Sequence, residues 1–381
     1  MSDVMVYVQH LLGIGHVRRM ALINQAMRDQ GLTVTVASGG IPDPSLDFAA
    51  DRVVQLPACR SADSNFSGLV DVNDTPVDDE WKERRKDDLL TAFKETTPKV
   101  LLIEMFPFGR RAFRFELIPL MTAAKQAGVP IVCSVRDLLV RKTDPEKTKW
   151  MRDIAREYFD RVLVHGDQNL FGFDHSFPYA DDIKDLIVYT GYVAPSHPQA
   201  ASNTDHGATR NGVLVSAGGG AVGAGLIDLA IAAHGHSNKY QDTPWDIVTG
   251  PHFPQDRFDA LVNTMPPGIT LHRFLPDFRA RMAKAAVSVS QAGYNTLMDV
   301  LSTQTPAVMV PFAEGGESEQ KERGEILANA SVISLLDLDG LTAQSLAKQI
   351  DRAKPPQQLN VALNGAQKTA SLIAALAKGT A

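Results

Sequence analysis

The chain starts the same pattern twice. Val4 to Val8 reads as a buried strand, and the turn His10-Leu-Leu-Gly-Ile-Gly-His16 follows it. Val17 to Gln30 then carries Met20, Leu22, Ile23, Ala26 and Met27 at helical spacing, until Gly31 stops the helix and Thr33 to Ala37 forms a second strand. At Gly212-Val-Leu-Val-Ser216 the order restarts: a strand, the run Ala217-Gly218-Gly219-Gly220-Ala-Val-Gly223, a helix to Ala233 and a strand over Trp245–Thr249. Further strands are read at 100–103, 131–135, 161–165 and 187–189 in the first half. In the second half they fall at 269–272, around Val287 and Val289, and at 307–310. Helices are read over 81–94, 117–126 and 147–159. Strands alternating with helices pack as a parallel sheet covered on both faces, so two such runs predict two doubly wound α/β domains.

A length of 381 residues agrees, since one core rarely grows that large. The boundaries follow from composition: a first domain over 1–193, a linker and hinge over 194–211 rich in Pro, Ser, His and Gly, and a second domain over 212–357. An Ala- and Leu-rich helix in 358–381 would pack back on the first domain. Residues 60–80 read as a long polar loop. Hydrophobic residues at 44% and charged residues at 22% fit a globular protein, and a net charge of −6 argues against a general nucleic-acid binder. Cys59 and Cys133 fit neither a disulfide framework nor a metal spacing, which points to a reducing cytoplasm. No metal site is expected. No apolar run approaches the ~20 residues needed to span a bilayer, and surface attachment stays open.

The stretch 287–323 carries the most chemistry. A short strand breaks at Gln291-Ala292-Gly293, Asn295 or Thr296 can cap the helix that follows, and Pro306 ends it. Ala307-Val-Met-Val310 is a buried strand closed by Pro311, and Glu314, Glu317, Glu319 and Gln320 lie beyond it. A glycine-fronted helix N-terminus with a carboxylate inside it, Asp299, suits a phosphate and a ribose. Gly218-Gly219-Gly220 also follows a strand and would bring bare backbone amides to a diphosphate; it lacks the lysine of an ATP-binding P-loop. The turn Gly13-Ile-Gly15-His16 sets a histidine at a helix start, where it can act as a general base or merely cap backbone groups. Phe106-Pro-Phe108-Gly-Arg-Arg-Ala-Phe-Arg-Phe115 interleaves aromatics with arginines. It offers peripheral membrane contact, or a loop whose phenylalanines enter the core while its arginines are solvated; the second reading is favoured. Arg136-Asp137 ends a strand as an acceptor-side pair or an ordinary ion pair. The acidic run 314–322 has a solvated loop as its plain alternative.

Taken together, the two Rossmann-like halves, the His16 turn, the glycine run at 218–223 and the 287–323 stretch resemble a GT-B glycosyltransferase, nearest to glycosyltransferase family 28. That resemblance implies two domains facing a central cleft, with a UDP-sugar donor on the second. Arg273-Phe274-Leu275-Pro276 resembles the segment that contacts the base through its backbone, and Asp299 falls where the family grips the ribose with a glutamate. Gly293, Asn295 and Thr296 fall by the diphosphate with Gly218, Gly219 and Gly220, Gln291 is a further donor-side candidate, and Glu319 and Gln320 match the pair that holds donor-sugar hydroxyls. His16 falls beside the acceptor, with Gly13, Gly15, Phe108, Arg136 and Asp137 as further acceptor-side candidates. The implied reaction is metal- and cofactor-independent transfer of a hexose or N-acetylhexosamine to a small molecule, lipid or glycan, with inversion. Glu314 and Glu322 have the spacing of the retaining enzymes but follow the wrong strand. The run Gly13 to Arg19 also resembles the UDP-sugar hydrolase of pseudaminic acid synthesis, and a catalytically silent nucleotide-sugar-binding protein is the alternative from another class. A cytoplasmic protein, at most peripheral on the inner membrane face, is expected.

Overall fold

A computed structural model of the chain describes residues 2–11, 15–43, 46–63, 68–139, 144–195, 210–218, 223–251, 253–311, 319–357 and 361–380. The chain divides into two units, Met1–Ala194 with Val361–Ala381, and Pro195–Asn360.

The first unit runs β1 (Val4–Val8), α1 (Gly15–Asp29), β2 (Val34–Ser38), β3 (Arg52–Gln55), β4 (Arg60–Ser61), β5 (Leu69–Val70), α2 (Asp79–Thr96), β6 (Val100–Glu104), α3 (Arg114–Gln126), β7 (Ile131–Arg136), α4 (Pro145–Tyr158), β8 (Arg161–His165) and β9 (Ile187–Tyr189). Seven strands form one sheet in the order β3-β2-β1-β6-β7-β8-β9, with every ladder parallel. From β1 the chain moves outward on one side through β2 and β3, then returns to β1's other edge at β6, so the order reverses between β1 and β6. Both sheet faces are apolar. Met5, Tyr7, Leu101 and Ile103 enter one core, while Val4, Val6, Val8, Val100 and Leu102 enter the other. This burial on both faces is why β1 is apolar at every position rather than alternating.

The second unit repeats the plan with β10 (Val213–Ser216), α5 (Ala224–His234), β11 (Trp245–Val248), α6 (Gln255–Thr264), β12 (Ile269–His272), α7 (Phe278–Lys284), β13 (Val287–Ser290), α8 (Tyr294–Thr303), β14 (Ala307–Met309), α9 (Glu319–Asn329), β15 (Ser334–Leu335) and α10 (Ala343–Arg352). Its parallel sheet has the order β12-β11-β10-β13-β14-β15, reversing between β10 and β13. The last helix, α11 (Gly365–Ala377), belongs to the first unit, where Ala366, Ala370 and Ile373 are buried in the same cluster as Val17, Met20, Ile23 and Met27 of α1.

Several elements differ from the sequence reading. The antiparallel ribbon β4–β5 lies within the stretch read as a loop, and the edge strand β3 was not read. The polar β3, Arg-Val-Val-Gln, is largely exposed at the sheet edge, so it lacks the apolar signature of its neighbours. Asp78 caps α2 by accepting the Trp81 amide, which starts that helix two residues early. Helix α3 begins at Arg114 and holds Pro119 in its interior. The short helices α6, α7, α9 and α10 were not read at all; α6 buries none of its residues and so shows no clear apolar stripe.

Candidate functional site

In an open parallel sheet, ligands bind beyond the carboxyl ends of the strands where the order reverses, because the helices on either side diverge there. Each unit has one such place, and the sequence candidates fall at both.

In the first unit that place lies between β1 and β6. Gly15 and His16 open α1, and Gln9 and His10 follow β1. His16 is partly buried, with its Nε2 3.1 Å from the Gln9 carbonyl oxygen and 3.1 Å from Arg110 Nη2. Burial, then the charges of Arg110, Arg19 and His10, holds the His16 ring well below the ordinary histidine range, so it stays neutral. A neutral imidazole is the form a general base requires. His10 Nε2 lies 2.8 Å from the Ile41 carbonyl, and its Nδ1 is buried without a partner. Gly40 is needed beside it, because a Cβ there would overlap the His10 ring at 2.2 Å.

Behind these histidines sits a charge cluster that the sequence reading missed. Glu104, the last residue of β6, is fully buried and accepts a hydrogen bond from Arg19 Nη2 at 2.8 Å. Arg110 Nε lies 4.0 Å from the other Glu104 oxygen, and Arg136 is close enough to act on both Glu104 and Arg110. Burial pushes the Glu104 carboxyl up against the pull of these arginines. The only sequence signal was position: Glu104 and Arg136 each end an apolar strand, and Arg19 lies one turn beyond His16.

The aromatic–arginine stretch therefore splits. Phe106, Phe108 and Phe113 are buried, and Phe108 packs edge-on against Phe173 and Phe177 at 5.2 and 5.1 Å. Phe108 is thus a core residue, a correction to its place among the acceptor-side candidates. Its arginines are not all solvated: Arg110 turns inward to His16, Arg111 lies over the Trp150 ring, and Arg114 is exposed. Arg136 is partly buried, and Asp137 is fully buried with its carboxylate accepting the Leu138 amide at 2.9 Å. Gly13 lies outside the described residues.

In the second unit the sheet reverses between β10 and β13. Their following helices, α5 and α8, are both N-capped by glycine, Gly223 and Gly293, with no side-chain cap on either. Asn295 and Thr296 therefore lie inside the first turn of α8 rather than capping it, a correction to the sequence reading. Gly218 has φ +66° and sits against Gln291, whose Oε1 would be 3.4 Å from a Cβ at that position. The ends of β10 and β13 are thus drawn together. A Cβ on Gly223 would strike Ala217 at 2.2 Å, so the turn closes only with glycine there. Asp299 lies in the second turn of α8, partly buried.

Arg273 folds onto α6: it donates to the Phe253 carbonyl at 2.8 Å and to Gln255 at 2.7 Å, and its guanidinium lies over Phe258. This anchoring leaves Phe274 60% exposed, while Leu275 is buried. Glu319 is the first residue of α9, and Gln320, the second, is partly buried. Sequence reasoning overlooked Arg323, one turn on, which is 1% exposed and lies over the ring of Tyr294, the first residue of α8. Its spacing of three from Gln320 puts those two on one helix face, a signal that was available. Gly219, Gly220, Glu314 and Glu317 lie outside the described residues. Among the described residues, no cluster of His, Cys, Asp or Glu is arranged to hold a metal ion, both cysteines are free and buried, and no helix is long and apolar enough to cross a membrane.

Residues 215–376 match the family described as the glycosyltransferase family 28 C-terminal domain. The chain is 24% identical over 259 residues to the UDP-N-acetylglucosamine–N-acetylmuramyl-(pentapeptide) pyrophosphoryl-undecaprenol N-acetylglucosamine transferase of Gloeothece citriformis. That match covers 68% of this chain and 65% of the relative's own length. Among solved structures, MurG of Acinetobacter baumannii superposes with a TM-score of 0.57 at 14% identity, covering 98% of this chain and 99% of that one. The calicheamicin glycosyltransferase CalG4 does so with 0.61 at 13%, covering 100% and 96%. With two doubly wound parallel sheets and these neighbours, the chain has the GT-B fold, and its second half is similar to glycosyltransferase family 28.

Proposed function

We propose that the protein transfers a hexose or N-acetylhexosamine from a UDP-sugar to an acceptor hydroxyl, with inversion and without a metal. The observation that carries this reading is the pairing of α5 and α8. They leave adjacent strands at the reversal of the second sheet, each fronted by glycine and neither capped by a side chain. Two helix N-termini there form a natural seat for a diphosphate, since their amides and dipoles favour negative charge. The donor-side roles follow from position. The 273–276 segment would meet the base, Asp299 the ribose, Gly218, Gln291, Gly293, Asn295 and Thr296 the diphosphate, and Glu319 and Gln320 the sugar. Gly219 and Gly220 are assigned by sequence alone.

His16 serves as the base. It accepts the proton of the acceptor hydroxyl, whose oxygen forms the new bond to the anomeric carbon as the bond to UDP breaks and UDP leaves with the electron pair. Negative charge growing on the departing diphosphate is met by the two helix ends. The acceptor would be a small molecule, lipid or glycan bound by the first unit.

Titration calorimetry with UDP tests the donor site: measurable affinity, weakened by Asp299→Ala, is expected, and no UDP affinity in the intact protein overturns the assignment. A panel of UDP-sugars without acceptor separates transfer from hydrolysis. Slow leakage of free sugar supports transfer; rapid stoichiometric release would mean that water is the acceptor.

A further inference from the structure

His16 Nε2 has two neighbours that make opposite demands. The Gln9 carbonyl, at 3.1 Å, can only accept a hydrogen bond, whereas the Arg110 guanidinium, also at 3.1 Å, can only donate one. One ring nitrogen cannot satisfy both. The guanidinium stays charged under all ordinary conditions, and a charge-assisted bond is the stronger of the two. In this state the Nε2 lone pair therefore faces Arg110, and the ring proton sits on Nδ1. That lone pair is the one a base at this position would use.

Arg110 is also poised between two seats. Its Nε is buried without a hydrogen-bond partner, and so is Glu104 Oε2, the two atoms facing each other at 4.0 Å. A shift of about an ångström would turn this loose ion pair into a hydrogen bond and satisfy both. The residue precedes the short turn Arg111–Phe113 with φ 59°, ψ 24°, in the left-handed region, and Met105 at the loop's other end also has positive φ. Non-glycine residues held there are found where the surrounding structure enforces the conformation, commonly at switching segments.

We propose that Arg110 is a positioning residue that covers His16 Nε2 and fixes its tautomer, and that the base is uncovered when Arg110 moves onto Glu104. The inference rests on His16 being the base of the proposed transfer. The other groups facing His16 are Arg19 from its own helix and His10 from the end of β1, with Glu104 and Arg136 behind Arg110. All of the cations among them disfavour a second positive charge, so the covered ring stays neutral. Uncovering removes the nearest of them.

The test is ¹⁵N NMR of the imidazoles in the full-length protein, with His16→Gln to assign its signals. The expected result is an Nδ1-protonated, neutral His16 in the wild type. Arg110→Met should raise its titration midpoint by about one unit or more and allow the Nε2-protonated form bonded to Gln9. Arg110→Lys should restore the wild-type tautomer in part. An Nε2-protonated ring in the wild type, or spectra and midpoint unchanged in Arg110→Met, would overturn the proposal. Thermal melts of each variant exclude unfolding as the cause, and Arg110→Lys provides a folded comparison if the methionine variant melts early. The transferase reading is scored separately. If Arg110→Met moves the tautomer and midpoint while His16→Gln leaves turnover unchanged, the cover on His16 stands and its role as base fails.

Discussion

Arg85 and Glu116 are fully buried and joined side-on, with Arg85 Nε donating to Glu116 Oε2 at 2.7 Å and Nη2 to Oε1 at 2.9 Å. They tie α2 to α3 beneath the first sheet. The remaining donors of Arg85 go to the carbonyls of Gly39 and Pro57 and to Gln9 Oε1, while Tyr7 donates to Glu116 Oε1. A buried pair with its polar atoms satisfied breaks even against apolar packing, but removing one partner strands a charge. Glu116→Leu should therefore cost about 3–5 kcal/mol. Arg85→Met with Glu116→Leu together should cost much less than the sum of the singles, read from urea unfolding as a double-mutant cycle. Additive losses would mean that the two residues act separately.

His165 links Ser134 Oγ at 2.7 Å and Thr190 Oγ1 at 2.8 Å inside the first unit, with no exposure. Burial, helped by the charge of Arg19, holds its pKa well below the ordinary value, as burial and nearby cations do for His16. The unfolded chain takes up these protons near pH 6.5 while the folded chain does not. The stability from keeping both rings neutral is thus complete above about 6.5 and is lost as pH falls below it, by up to about 1.4 kcal/mol per pH unit for each ring. Urea midpoints measured between pH 7.5 and 5.5 should fall, with a shallower slope in His165→Gln. An unchanged slope in that variant would assign the acid sensitivity elsewhere.

Gly365 is where the returning chain joins the first unit. Its amide donates to the Tyr192 carbonyl at 2.9 Å, and a Cβ would lie 2.3 Å from the Gly191 carbonyl oxygen and 2.8 Å from the backbone of Tyr192. Those neighbours are backbone and cannot turn aside. Gly365→Val should therefore shift α11 off α1 and expose the apolar faces of both, at a cost of roughly 2 kcal/mol or more. Hydrogen exchange would show this as lost protection in α1, and an α1 as protected as in the parent chain would count against it.

The strong apolar runs made both sheets legible, because a strand covered on two faces must be apolar along its length. The helix starts at His16 and Gly293 were legible for a similar reason, since glycine marks turns where backbone must come close. What stayed hidden was set by partners distant in sequence. Glu104 looks like an ordinary strand end until Arg19, 85 residues away, is placed against it. Arg110 looks like a solvated loop arginine until His16 is placed against it. Arg323 shares a helix face with Gln320, but its burial over Tyr294, which connects it with the start of α8, leaves no mark in the sequence. Pairings of this kind leave no local pattern.

Gly293 offers the cleanest probe of the donor site. It caps α8 at φ −70°, ψ 148°, a conformation open to any residue, and no described atom lies within 4 Å of where its Cβ would be. The fold itself has little reason to require glycine here; alanine is a poorer N-cap, at a cost of about 1 kcal/mol or less. Glycine would matter to a diphosphate seated on the first turn of the helix, which a methyl group would hold away from the amides. Gly293→Ala should thus melt close to the parent protein while its UDP affinity falls about tenfold or more by calorimetry, which corresponds to about 1.4 kcal/mol. Gly218→Ala serves as the contrasting variant: at φ +66° its loss of stability comes from the backbone whatever binds. Should Gly293→Ala bind UDP as tightly as the parent chain, the diphosphate does not sit on α8.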